Sequence, residues 1–313
     1  EIEVNAGNHD EAITWLRKLM SQRPDDTRAR LRYIDLYTQT GDEMDLIEDY
    51  LQLARILTRK GSVVEATRIF EKIIHLHPQE PACREEFVQF LFEQGQVHRA
   101  IEETRQLVDR YVELNLDQQA GRSLERAINF VPDELELRER LAAIYLKLNR
   151  RGLAMETYRA LARQYENLEE TDKLIEVVGH IVEIDSLNVE YRQQLADLYY
   201  QNGDKNRATE EFIRLADQYH ERGLFDLAEQ GYRRVLEFLP HDADVWQKAI
   251  DTHTEVGEVS EILPDLMMLA ELYANEGRLK EAVQTYLRSM EHAPANIAAV
   301  LNDQLTTIRC RCR

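Results

Sequence analysis

Apolar residues recur along this chain at i, i+3, i+4 and i+7, the spacing that places one buried stripe on an α-helix, and strand-like alternation is absent. The stripes are punctuated at one period. Gly41, Gly95, Asn149, Gly203 and Gly257 recur with a 54-residue period, and asparagine is the residue best able to replace glycine in a left-handed turn. Two further series keep the same spacing: Gly7, Gly61, Asn115, Glu169, Gly223, Gly277, and Pro24, Pro78, Pro132, Ser186, Pro240, Pro294. Eight of the twelve glycines and five of the seven prolines lie on these series, so the punctuation belongs to a repeat and not to composition.

The three series cut each unit into one longer and two shorter segments, such as 41–61, 61–78 and 78–95, and each segment reads as one helix. The pattern predicts an all-α fold, an α-solenoid of about 17 antiparallel helices. A helix near residues 9–22 precedes five full units spanning about 27–292, and a last helix runs from about 296 to 309. Partial units at 1–26 and 295–313 complete a single elongated helical-repeat domain over 1–313. Leu301, Leu305 and Ile308 give the last helix an apolar stripe, which reads either as a cap or as the start of a further unit. The chain opens at Glu1, partway through a repeat, so it is expected to be a piece of a longer or processed protein.

Within the units, Leu53, Leu107, Leu161, Leu215 and Leu269 hold one position, followed by the small residues Ala54, Val108, Ala162, Ala216 and Ala270. A small residue beside a fixed leucine predicts close helix–helix approach. The run Leu215-Ala216-x2-Tyr219-x3-Gly223-x4-Ala228-x3-Tyr232-x7-Pro240 resembles the tetratricopeptide repeat family. Leu269-Ala270-x2-Tyr273-x3-Gly277-x4-Ala282-x3-Tyr286-x7-Pro294 repeats it in full, and Leu174 with Ser186 marks a degenerate copy. That family has a two-helix repeat of roughly 34 residues. Here the unit is a 54-residue, three-helix one, as if two overlapping motifs shared the middle helix.

The resemblance implies a right-handed superhelix that holds peptides or proteins in its groove, contacted by exposed positions of the first helix of each motif. Two residues before the aromatic position these are Asp35, Gln89, Ala143, Asp197 and Asp251; four residues earlier they are Leu31, Glu85, Glu139, Gln193 and Gln247. From these, Asp35, Gln89, Gln193, Asp197, Gln247 and Asp251 form the candidate partner-binding set. None is basic, so the cationic clamp by which chaperone-binding members grip a C-terminal carboxylate is not expected. An odd number of helices per unit also reverses chain direction from one unit to the next, which puts into question any assignment of the groove to one helix type.

A formal net charge of -19 changes the picture of the partner. Nucleic acid and anionic membrane surfaces are disfavoured, and a basic or amphipathic protein segment is favoured. No run approaches the 18 or so apolar residues that cross a bilayer, so membrane insertion is not expected. Three cysteines, Cys83, Cys310 and Cys312, are too few for a disulfide framework; they fit a reducing, cytoplasmic setting, and equally a periplasmic protein that needs no crosslinks.

Candidate chemistry is sparse. His75 and His77 project roughly 200° apart on a helix and chelate poorly. Cys310 and Cys312 make a lone C-x-C pair, short of a zinc site unless a second pair follows. The aromatic stripe of Tyr145, Tyr158, Tyr199, Phe212, Tyr219 and Tyr232 reads as core rather than as a base-stacking platform. No catalytic residue, metal, cofactor or small-molecule substrate is expected. The reading is a bacterial-type scaffold or adaptor that is not an enzyme; the alternative is the regulatory or sensor arm of a larger multidomain protein.

Overall fold

The computed structural model describes residues 9–40, 46–256 and 262–311. Among these residues are seventeen α-helices and no strand. They fall into two compact units, residues 1–157 and 158–313. The first holds α1 (His9–Gln22), α2 (Thr27–Thr40), α3 (Ile47–Arg59), α4 (Val63–Leu76), α5 (Pro81–Glu93), α6 (Val97–Glu113), α7 (Asp117–Phe130) and α8 (Leu135–Lys147). The division falls within α9 (Arg151–Asn167). The second unit continues with α10 (Thr171–Ile184), α11 (Val189–Gln201), α12 (Lys205–Glu221), α13 (Phe225–Phe238), α14 (Ala243–Val256), α15 (Leu263–Asn275), α16 (Leu279–His292) and α17 (Ala295–Arg311).

Three helix lengths alternate, as in the 13-residue α5, the 17-residue α6 and the 14-residue α7. Links of three, three and four residues join them and complete the 54-residue period. Links this short oblige sequence neighbours to pack antiparallel. The three-residue links share one device. Among the described residues, positive φ occurs at Gly61, Gly95, Gly203, Gly223 and Gly277, and at Asn115, Asn149 and Glu169, all members of the first two periodic series. Gly95 N–H donates to the Phe92 carbonyl at 3.0 Å and Gln96 N–H to the Leu91 carbonyl at 2.9 Å, a Schellman closure. The long bond repeats as Arg150 to Tyr145, Asp204 to Tyr199 and Arg278 to Tyr273, so the bulky core residue four positions before the turn also accepts the bond that closes it. Gly7, Gly41 and Gly257 lie outside the described residues.

The four-residue links use the proline series. Glu80 N–H reaches the His77 carbonyl at 3.1 Å around Pro78, and Asp242 reaches Leu239 at 3.2 Å around Pro240. The residue ending each such link is also 54-periodic, and where it is short it caps the next helix. Asp26 Oδ1 accepts from Ala29 N–H at 3.0 Å, Asn188 from Tyr191 at 3.2 Å and Asp242 from Val245 at 3.0 Å. Glu80 and Glu134, at the same position, make no side-chain cap.

The core is the repeated stripe itself. Leu53, Leu107, Leu161, Leu215 and Leu269 are all buried, as are the small residues that follow them. The close approach is visible at Gly231 of α13, where a Cβ would sit 2.9 Å from the Cβ of Ala216 in α12. Tyr145, Tyr158, Phe212 and Tyr232 are buried, while Tyr199 and Tyr219 are half-buried. In α17, Leu301 and Leu305 join the core of α15 and α16; the side chain of Ile308 lies outside the described residues.

Ion pairs carry the same period. Arg30–Asp49, Arg84–Glu103 and Arg192–Glu211 occupy one repeat position and are each largely buried. One unit further on, Trp246 replaces the arginine. Its Nε1–H donates to the Pro240 carbonyl at 2.9 Å, as Arg192 does to the Ser186 carbonyl at 2.8 Å, and Arg233 takes up the released Asp265 at 2.9 Å. A second set joins helices two apart: Arg55 with Glu86, and Arg140 with Asp109 at 2.5 Å, the same two positions with the signs exchanged. Such contacts sort the helices of each unit into two rows. In the second unit Arg234–Asp197 links α11 to α13 and Arg233–Asp265 links α13 to α15, whereas Lys248–Asp217 links α12 to α14 and Arg288–Asp251 links α14 to α16.

Four outcomes test this description by urea denaturation. Glu169→Gly relieves a left-handed turn and is expected to stabilise by about 0.5–1 kcal/mol. Gly231→Ala is expected to destabilise by about 1–3 kcal/mol through overpacking, while Gly179→Ala, whose Cβ meets nothing within 4 Å, gains about 0.5–1 kcal/mol. Arg55→Glu is expected to cost on the order of 1 kcal/mol, recovered when Glu86→Arg is added, because the chain already holds that reversed pair at 109 and 140.

Candidate functional site

The two-row arrangement decides where the repeat positions of the candidate set end up. Asp35 on α2 and Gln89 on α5 are exposed in the first unit. In the second, Gln193 and Asp197 lie on α11 and Gln247 and Asp251 on α14, which the ion pairs assign to different rows. One repeat position therefore serves two faces. Three helices per repeat make this unavoidable, because an odd step moves each equivalent helix to the other row.

Neither aspartate of the second unit stands alone. Asp197 Oδ1 accepts from Arg234 at 2.8 Å, and Asp251 accepts from Gln247 Nε2 at 2.8 Å and from Arg288 at 3.3 Å. Each arginine rises from the third helix of the same repeat as its aspartate, and the two arginines are themselves repeat-equivalent. Gln89 donates to Glu93 at 2.8 Å.

The structure brings two of the six into clefts. In the first unit, a cleft of about 680 Å³ opens between α3 and α5 over Phe70 of α4, with Arg55, Arg59, Glu86, Gln89 and Glu93 around it. In the second, a cleft of about 310 Å³ opens between α12 and α14 over Tyr232 of α13, bounded by Asp217, Glu221, Lys248 and Asp251. The second is the first moved on by three repeats: Arg55 becomes Asp217, Arg59 becomes Glu221, Phe70 becomes Tyr232, Glu86 becomes Lys248 and Gln89 becomes Asp251. The signs invert at three of these positions. Two arginines against two glutamates leave the earlier cleft neutral, whereas three carboxylates against one lysine leave the later one acidic.

Within the acidic cleft, Asp217 is fully engaged. It accepts from Tyr232 Oη at 2.5 Å and from Lys248 Nζ at 2.7 and 2.9 Å. Burial, then the bond to Asp217, pushes the Tyr232 hydroxyl well above its ordinary range and keeps it a donor. Glu221 is exposed at the rim. It is a functional candidate that sequence reasoning passed over, because the family resemblance points to first helices and Glu221 sits at the end of a middle one. The signal available was the sign inversion from Arg59 to Glu221 within the 54-residue register.

Other chemistry finds no assembled site. Among the described residues, no group of three or more His, Cys, Asp or Glu is placed to hold a metal ion. His75 is exposed and His77 buried. Burial pushes the Cys83 thiol up to about 11, which keeps it protonated and unreactive. The side chain of Cys310, and Cys312 as a whole, lie outside the described residues. No helix among the described residues is long and apolar enough to cross a membrane.

Residues 266–297 match the family model described as Tetratricopeptide repeat. A search of curated proteins finds no match. Among solved structures, the chain is similar to a tetratricopeptide repeat protein from Parabacteroides merdae, with 15% identity over 85% of this chain and 99% of that one and a TM-score of 0.29. It is also similar to the tetratricopeptide domain of P58(IPK), with 16% identity, coverage of 98% and 99%, and a TM-score of 0.28. A signal-transduction ATPase with a tetratricopeptide sensor from Pyrococcus horikoshii gives 13% identity over 90% of this chain and 55% of that one, with a TM-score of 0.32. Repeats of this kind generally mediate protein–protein interactions and are typically non-enzymatic. The matched segment Leu266 to Ile297 is that of a tetratricopeptide repeat, and the seventeen helices among the described residues fit a repeat protein of that type.

Proposed function

We propose that the chain is a protein–protein interaction scaffold that takes a basic or amphipathic partner segment in the cleft between α12 and α14. The observation that carries this is the charge of that cleft against its repeat equivalent. The same three-helix frame is neutral around Arg55 and Glu86 and acidic around Glu221 and Asp251, so the difference lies in side chains and not in the fold. Lys248 is occupied by Asp217, which leaves Glu221 at the rim to meet a cation, with Asp251, already shared by Gln247 and Arg288, adding its charge beside it. The partner's contribution is one lysine or arginine entering between these groups, with its aliphatic stem along Tyr232.

The remaining candidates, Asp35, Gln89, Gln193 and Asp197, do not line this cleft. Gln193 and Asp197 belong to the row of α11 and α13, so a partner using them reads a different face of the second unit from the one at Asp251. The single elongated domain over 1–313 and a cytoplasmic, bacterial setting belong to this proposal as well.

Fluorescence anisotropy with a labelled lysine-rich amphipathic helical peptide tests it. Binding is expected to weaken about tenfold in Glu221→Lys, and to weaken as salt is raised from about 50 to about 200 mM because the rim is exposed. Unchanged affinity in Glu221→Lys, or equal affinity for a glutamate-rich version of the peptide, would sink the proposal.

A further inference from the structure

The first unit holds another cleft whose chemistry differs from both of those above. Between α5 and α7, over Leu107 of α6, lies a space of about 240 Å³ walled by Val88 and Ala127. Phe92 and Phe130 stack along it with ring centroids 4.8 Å apart and planes 7° apart. Phe130 is 51% exposed, a large apolar ring kept at the surface. The arrangement is encoded in the repeat: Tyr200 and Phe238 stand two repeats on at the same two positions, with centroids 5.1 Å apart and Tyr200 42% exposed.

The polar groups of this cleft fall into two kinds. Glu85 on the rim accepts from Tyr111 Oη at 3.0 Å and pairs with Arg126, so its charge is balanced. Ser123 lines the cleft, is only 6% exposed, and its buried Oγ has no hydrogen-bond partner in the protein. Hydroxyls on these helices ordinarily turn back to the carbonyl four residues earlier, as Thr104 does to Ala100 at 2.7 Å and Ser289 to Thr285 at 2.8 Å. At the repeat positions of Ser123 stand Trp15, Ile69, Val177, Gly231 and Thr285, and Thr285 Oγ1 donates to the Glu281 carbonyl at 2.9 Å. The unanswered hydroxyl thus belongs to this cleft and not to the repeat.

We propose that the cleft between α5 and α7 takes the tyrosine side chain of a partner segment, its ring against Phe92 and Phe130 and its hydroxyl on Ser123 Oγ. A lysine finds no carboxylate free to receive it, since Glu85 is already paired. A purely aliphatic side chain fills the space but leaves the serine unanswered, which an interior penalises. A ring ending in a hydroxyl satisfies both the aromatic wall and the buried oxygen. The proposal rests on the reading of the chain as an interaction scaffold and adds an uncharged anchor to it.

The test uses the full chain and the tyrosine side chain itself as probe, p-cresol, with toluene as the control lacking the hydroxyl, followed by NMR chemical-shift titration. p-Cresol is expected to perturb α5 and α7 and to bind about fivefold tighter than toluene, the value of one net hydrogen bond. Ser123→Ala is expected to abolish that preference while leaving toluene binding in place, and Phe130→Ala, at an exposed position, to weaken both. A helical peptide with one tyrosine on its apolar face is expected to displace p-cresol, and its Tyr→Phe version about fivefold less well. Equal binding of p-cresol and toluene, absence of p-cresol binding at α5 and α7, or a preference that survives Ser123→Ala overturns the proposal. Self-association that is lost in Phe130→Ala also overturns it, in favour of a second copy as the occupant. Loss of the lysine-rich peptide with p-cresol binding intact concerns the acidic cleft alone, so the two readings fail separately.

Discussion

An odd number of helices in each repeat is the constraint on which the rest of this structure depends. Three helices of unequal length, with links of three, three and four, close a 54-residue period, and short links leave antiparallel packing as the only arrangement. Each full repeat therefore moves an equivalent residue from one row of helices to the other. The turn that makes the three-residue links possible is a single left-handed residue, and its closing bond ends on the carbonyl of the core residue four positions before it. Turn and core are thus one device, which is why the glycine series and the aromatic series share a register.

The constraint also shapes the electrostatics. With a net charge of -19, the chain still uses a set of its arginines to bridge neighbouring helices. Arg30, Arg84 and Arg192 pair with Asp49, Glu103 and Glu211 within the packed frame, and Trp246 keeps one bond of the arginine it replaces. The exchange of Arg55–Glu86 for Asp109–Arg140 shows that the frame accepts either order of signs at these two positions, and Arg163 with Gln194 at the same positions shows that it holds without a charge pair there. That indifference leaves charge free to vary from cleft to cleft, and the clefts differ accordingly: neutral at Arg55, acidic at Asp217, apolar with one buried hydroxyl at Ser123.

Much of the fold was legible in the sequence because its determinants are local. Gly95, Asn149 and Gly203 announce left-handed turns by residue type, and Leu161 and Leu215 announce burial by repetition. Other features needed coordinates. That Asp26, Asn188 and Asp242 cap helices while Glu80 and Glu134 do not is a matter of one methylene. The arginine ladder was hidden because a charged residue at a repeat position reads as solvated face until its partner on the next helix is seen beside it. The candidate site was the least legible: Asp197 and Asp251 share a repeat position and a paired arginine, yet only contacts between helices two apart assign them to different rows. Ser123 carried no sequence signal, since a serine in a helix declares nothing about its hydroxyl.

The contrast between those two aspartates tests the central claim most directly. Asp197→Lys and Asp251→Lys reverse charge at one repeat position, each opposite an arginine at one repeat position. With the labelled lysine-rich peptide as ligand, the account predicts that Asp251→Lys weakens binding about tenfold while Asp197→Lys leaves it within about twofold. Equal losses in the two variants would mean that repeat-equivalent residues serve one surface, and would contradict the assignment of alternate repeats to opposite rows.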